Sequence, residues 1–311
     1  MWHNKQVISV GGGKGGVGKS CFAANLGFSL AHTGKKVVLV DADLGAANLH
    51  TMVGIRYAAK TLEDFIKGSC GTVEQAILDT PYPGLRLLSS ASDILSLAGP
   101  NYKERMRLLK GIDAIDCDVL IFDIAAGTHV RAIDFFSLAP VMVILTEPVP
   151  TSLENSFSFL KNLLLRQLLR VFYHDREMRS FIQHALSPGA GEQHVHFSEL
   201  IEKLEKREPK KLTEYNRRFL NKLNGLFMVA NRVKSQAQTQ AFDMFMKIVK
   251  RYLGLQLRIV GHLPFEADMD NAIITRTPFC SKYPHNGYSL EIQRIVERLQ
   301  TFRSRPQNTF S

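Results

Sequence analysis

What the chain lacks narrows its reading first. No window approaches the run of about 18 apolar residues that a membrane-crossing helix needs, and the opening Met1-Trp2-His3-Asn4-Lys5 has no signal-peptide architecture. A cytoplasmic location is expected. Cysteine is scarce: Cys21, Cys70, Cys117 and Cys280 stand far apart, with no C-x-x-C pair and no histidine at metal-ligand spacing. They read as reduced thiols, which excludes a disulfide scaffold and a zinc finger. Internal repeats and low-complexity tracts are also missing.

The remaining composition is that of an ordinary globular protein. Its 311 residues are 45% hydrophobic and 22% charged, enough for one large α/β domain or two small ones. With 39 Lys+Arg against 29 Asp+Glu, the positive balance would favour a polyanion such as DNA or an anionic membrane surface, without choosing between them.

Short apolar runs rich in β-branched residues recur at Gln6–Val10, Lys36–Val40, Leu85–Leu88, Val119–Phe122, Val141–Leu145, Leu226–Ala230 and Leu257–Val260. Runs apolar on both faces predict buried parallel strands, and their alternation with helical patterns predicts a doubly wound, mostly parallel sheet flanked by helices. Ligands in such folds sit at the carboxyl ends of the strands. The link from Glu154 to Lys222 is too long for an ordinary connection. It carries a helical pattern (Phe157, Leu160, Leu163, Leu164, Leu168, Val171, Phe172), a polar break at Ser187–Gln193 and a strongly charged stretch. The expected organisation is therefore one domain over residues 1–311 with a basic helical insertion at 157–222 between two core strands.

The strongest motif follows the first predicted strand. Gly13-Lys14-Gly15-Gly16-Val17-Gly18-Lys19-Ser20 satisfies G-x-x-x-x-G-K-[ST] and leads into the helix-forming run Phe22–Ala31. Glycines let backbone N–H groups curl around phosphate oxygens, and the following helix N-terminus adds a favourable dipole. Lys19 is expected to neutralise the β and γ phosphates and Ser20 to ligate Mg²⁺. Gly11, Gly13 and Gly16 also fit the dinucleotide pattern G-x-G-x-x-G, with Asp41 as a ribose-binding acid; such a loop does not call for Lys19-Ser20.

Lys14, a second lysine inside the loop, makes the motif resemble the deviant Walker A loop of the MinD/ParA ATPases. The resemblance implies that Lys14 reaches across an ATP-sandwiched homodimer to the partner's nucleotide. Val40-Asp41-Ala42-Asp43-Leu44-Gly45-Ala46-Ala47-Asn48 is similar to switch I of the MinD-like branch, which makes Asp43 the residue orienting the attacking water and Asp41 a support for Mg²⁺. Val119–Gly127 resembles Walker B with switch II: Asp123 would hold Mg²⁺ through water, and Gly127 would offer its N–H to the γ-phosphate. Asn231, with Arg232 beside it, corresponds to the strand whose asparagine reads adenine, and Pro264 to the loop closing over the base. Cys21 stands where a hydroxyl residue commonly binds the α-phosphate, and Ala125 where proline is frequent. Within the family, the Asp43–Asn48 block and Pro150–Glu154 look closest to the flagellar-number regulators of the FlhG/FleN group, from whose pattern the excursion departs, as does an N-terminus too short for that group's activating extension.

The resemblance implies a slow, partner-stimulated ATPase that acts as a molecular switch on a protein partner. The alternatives are a ParA-type DNA-segregating ATPase and a small-molecule ligase or kinase on the same scaffold. Ser289–Arg303 reads either as a helix closing the fold or as a membrane-facing amphipathic helix, with residues 304–311 too short and polar for an anchor. Arg166, Arg170, Arg176 and Arg179, interspersed in the insertion, suit anionic lipid at the inner membrane face, DNA phosphate or an acidic protein groove, or else a solvated face.

Overall fold

Parallel strands buried on both faces dominate the computed structural model, which describes residues 2, 4–42, 48–90, 102–186 and 196–302, with backbone alone at 102–105, 131 and 221. The strands are β1 (Gln6–Gly11), β2 (Val37–Ala42), β3 (Leu78–Asp79), β4 (Leu85–Leu88), β5 (Val119–Ile124), β6 (Val141–Thr146), β7 (Leu226–Val233) and β8 (Arg258–Pro264). They form one sheet in the order β3-β4-β2-β5-β1-β6-β7-β8. All pairings are parallel except β3 with β4. All seven expected strands are present, several displaced by a residue or two, and the fold is the doubly wound sheet that their patterning predicts.

The helices are α1 (Lys19–His32), α2 (Leu49–Met52), α3 (Leu62–Lys67), α4 (Tyr102–Asp113), α5 (Val130–Phe136), α6 (Pro150–Val171), α7 (Arg176–Leu186), α8 (Phe197–Arg207), α9 (Pro209–Arg218), α10 (Gln236–Leu253), α11 (Met269–Ile274), α12 (Phe279–Lys282) and α13 (Gly287–Thr301). Because side chains alternate along a strand, the sheet divides two cores. Val7, Val38, Val40, Leu120, Phe122 and Met142 share one core with the buried residues of α6 and α10. Ile8, Val10, Leu39, Ile121 and Val143 face α1 and α13. A fully buried aliphatic side chain contributes about 1.5–3 kcal/mol, so burial on both faces explains why these strands read as unbroken apolar runs.

Between β6 and β7, α6 lays Phe159, Leu160, Leu163, Leu164 and Leu168 on the first core, all at 0% exposure. Helices α7 to α9 cover it with Ile182, Leu200, Leu204, Leu212 and Tyr215. The excursion is helical as expected, but its apolar face is structural. Arg166 reaches Asp134 of α5 through Nε to Oδ1 and Nη2 to Oδ2, both at 3.0 Å, and Arg170 Nη2 lies 2.8 Å from Oδ1. Two of the four arginines set aside for a polyanion are thus paired with a buried acid of the fold.

The last helix packs as a closing helix. Ile292, Ile295, Val296 and Leu299 of α13 are buried on the second core, and Phe302 meets Phe227 edge-on at 4.9 Å. Among the described residues, no helix is long and apolar enough to cross a membrane.

Candidate functional site

The central strands deliver the loop and both acids to one end of the sheet. β1 ends at Gly11 and runs into the glycine loop, whose Gly18 caps α1 with φ +90°. That conformation suits glycine, and a Cβ there would also stand 2.7 Å from the Asn231 amide nitrogen. A Cβ on Gly13 would run into the Asn155 carbonyl. Gly15 and Gly16 are exposed while Val17 is buried beneath them. The first turn of α1 contains no acidic residue, which leaves its N-terminus suited to an anion.

The two loop lysines diverge. Lys19 is 6% exposed, with Nζ donating to the Lys14 carbonyl at 3.3 Å. The Lys14 ammonium instead points to the Thr151 hydroxyl of α6, 3.4 Å away on the surface.

Asp41 and Asp123 are register partners on the adjacent strands β2 and β5, each 1% exposed. Asp41 Oδ2 also accepts the Leu49 N–H at 3.2 Å. Two carboxylates at neighbouring carboxyl ends, next to the strand that delivers Ser20, form an all-oxygen set of the kind Mg²⁺ takes; these residues fit that ion. Beside them Ala126 packs 3.9 Å from where a Gly15 Cβ would lie, and the Gly127 N–H donates to the Gly12 carbonyl at 3.2 Å. The segment expected to serve as switch II therefore rests on the phosphate loop. Asp43 lies outside the described residues.

A cavity of about 550 Å³ opens from the loop toward the ends of β7 and β8. Its walls include Lys19, Ser20, Cys21, Asn231, Arg232 and Pro264. The Asn231 amide nitrogen donates to the Val17 carbonyl at 2.8 Å, so it braces the loop where the resemblance implies base reading. Arg232 sits at φ +56°, an uncommon conformation for a side-chain-bearing residue, next to a register irregularity between β7 and β8. Its Nη1 donates to the Gly16 carbonyl at 3.0 Å and to Glu147 Oε1 at 2.7 Å.

Glu147 is a site residue the sequence reading missed. It follows β6 as an acid after an apolar run, the same signal that marked Asp123. Phe265 and Lys234 also line the cavity, the ammonium 4.4 Å from the ring centroid, a cation–π distance. The Cys21 sulfur lies 3.1 Å from Met269 Sδ. Although the residue is partly exposed, burial of its sulfur pushes the thiol up to about 12, so it is neutral at physiological pH.

These features agree with what the chain is similar to. The model of the CobQ/CobB/MinD/ParA nucleotide-binding domain matches residues 8–279. The antiactivator FleN of Pseudomonas aeruginosa is 25% identical over 303 residues, 96% of this chain and 88% of that protein. The flagellum site-determining protein YlxH of Helicobacter pylori is 30% identical over 169 residues, but the match spans only 51% of this chain and 53% of that one. A chain of the MinC:MinD cell division complex of Aquifex aeolicus superposes with TM-score 0.64 at 19% identity, 96% of each chain being covered. The septum site-determining protein MinD of Pyrococcus horikoshii, complexed with Mg-ADP, gives 0.62 at 18%, also with 96% of each covered. At such identities the two structures speak to fold alone. With the family model covering most of its length and a phosphate loop at the carboxyl edge of a parallel sheet, the chain belongs to the CobQ/CobB/MinD/ParA nucleotide-binding family of P-loop ATPases.

Proposed function

We propose that this chain is an ATP-driven molecular switch, which closes as a homodimer on ATP, acts on a protein partner in that state and resets by slow, partner-stimulated hydrolysis. The divergence of the two loop lysines carries the reading. Lys19 is folded into the loop, where it serves the nucleotide of its own chain. Lys14 keeps its ammonium at the surface, which suits a lysine acting across a dimer. Ser20, Asp41 and Asp123 would hold Mg²⁺, whose charge would offset that of the phosphates. Asp43 orients the attacking water, positioning being its main contribution.

The nearness to FleN and YlxH supports control of the placement or number of a cellular structure as the process served. ATP shifts the monomer–dimer equilibrium only by its differential affinity for the two forms. Light scattering tests the reading. Asp43→Ala is expected to give a stable ATP-dependent dimer with little turnover, and Lys14→Ala and Lys19→Ala to give none. A wild-type chain that stays monomeric in saturating Mg-ATP would sink the proposal.

A further inference from the structure

Helix α10 is apolar on two sides. Phe242, Phe245, Val249 and Leu253 are buried, whereas Met244, Ile248 and Tyr252 are 65, 43 and 39% exposed. A spacing of four aligns the second set in one outward row. A surface helix needs a single apolar stripe to hold it on the fold, so Met244 and Ile248 of the outer row are left over once that stripe is buried. Phe157 of α6 stands across from it, its ring centroid 6.5 Å from that of Tyr252. Between the two helices lies a shallow groove of about 620 Å³ lined by Phe157, Met244, Ile248, Tyr252, Lys247 and Arg251, with no acidic residue among the described residues of its lining. His196 packs against the Tyr252 ring at 4.4 Å and steadies it.

We infer that this groove docks an amphipathic helix of a partner protein that carries Asp or Glu beside its apolar ridge. The row from Met244 to Tyr252 covers about 12 Å, two helical turns, the length over which a docked helix presents anchors at i, i+3, i+4 and i+7. Lys247 and Arg251 supply the charge complementarity, which selects acidic flanks and rejects basic ones. A lipid surface is a poorer match, because a helix lying in a membrane offers a broad apolar face and here the broad face of α10 is spent on the core. The stretch Ser187–Val195, which precedes His196 in the sequence, is an unsuitable occupant: it contains a proline, two glycines and one large apolar residue, Val195.

Both walls of the groove are rooted at the nucleotide cavity. Helix α6 begins three residues after Glu147, and its Thr151 meets Lys14. Helix α10 begins two residues after Lys234 and carries Gln238, both cavity residues. The groove thus gives the proposed switch's partner a place and a chemistry, and rests on that reading for its nucleotide dependence alone.

The test is a displayed library of amphipathic helices with fixed apolar positions and randomised flanks, selected on the full chain. Selected peptides are expected to be enriched in Asp and Glu, to lose at least tenfold in affinity for Ile248→Asp and for Lys247→Glu, and to regain binding to Lys247→Glu when their own acids are replaced by lysine. Affinity is expected to differ between the ATPγS-bound and ADP-bound forms. Failure to enrich, or binding unchanged by Ile248→Asp and Lys247→Glu, overturns the inference. So does either variant acting instead on binding to phosphatidylglycerol vesicles or on self-association. Titration of the same preparations with a fluorescent ATP analogue separates loss of the groove from failure of nucleotide binding.

Discussion

Cys21 shows how one side chain tunes this site. Its enclosed sulfur has a pKa raised to about 12, and alkylation needs the thiolate. The rate of iodoacetamide labelling at Cys21 is therefore expected to keep climbing past pH 9, where an ordinary cysteine levels off; a plateau near pH 9 would contradict that burial. Cys21→Ser puts a strong hydroxyl donor where the thiol is a weak one. One added hydrogen bond to a charged oxygen contributes about 1.5 kcal/mol, so ATP should bind roughly tenfold tighter in a calorimetric titration. At this scale the phosphate loop is legible because its residues are contiguous and each has a local reason to be there. Glu147 and the bracing role of Asn231 are not, because their partners Arg232 and Val17 come from distant stretches of chain. Nothing near Arg232 in the sequence signals its left-handed backbone.

Among the elements, α6 depends on a carboxylate that its own sequence does not contain. Asp134 is 8% exposed and bound by two arginines that are 36 and 39% exposed. Asp134→Asn is expected to lower stability by about 1–2 kcal/mol, the partial exposure of both guanidinium groups limiting the loss. Arg170→Ala should cost less, because Arg166 keeps its two-pronged contact; urea unfolding midpoints measure both. For α13, the Asn286 side chain accepts the Tyr288 N–H at 2.8 Å, and Asn286→Ala should cost about 1 kcal/mol by the same measurement. The seven expected strands could be read because burial on two faces leaves continuous apolar runs. The two-residue β3, half-exposed to exposed, leaves no such trace. The excursion was legible as helical but misleading in its charge: arginines spaced along an apolar helix look alike whether they face lipid, nucleic acid or a buried aspartate on another element.

For the whole molecule, a ligand that binds only the folded chain stabilises it by mass action. Mg-ATP at a thousandfold excess over its dissociation constant should add about 4 kcal/mol. The melting temperature is expected to rise with ATP in the wild type and to stay flat in Lys19→Ala, as scanning calorimetry would record. The margins of the sheet have a further consequence. One ends in the two-residue antiparallel β3; the other ends in β8, where Gly261 lets α13 approach so closely that a Cβ there would meet Ile295 at 2.5 Å. From that helix Arg298 donates to the outward carbonyl of Val260. Strand-by-strand growth into ribbons or fibres, the standing hazard of an open sheet, is blunted at both rims. The proposed dimer would therefore form through side chains and loops, contacts that a bound nucleotide could make and unmake.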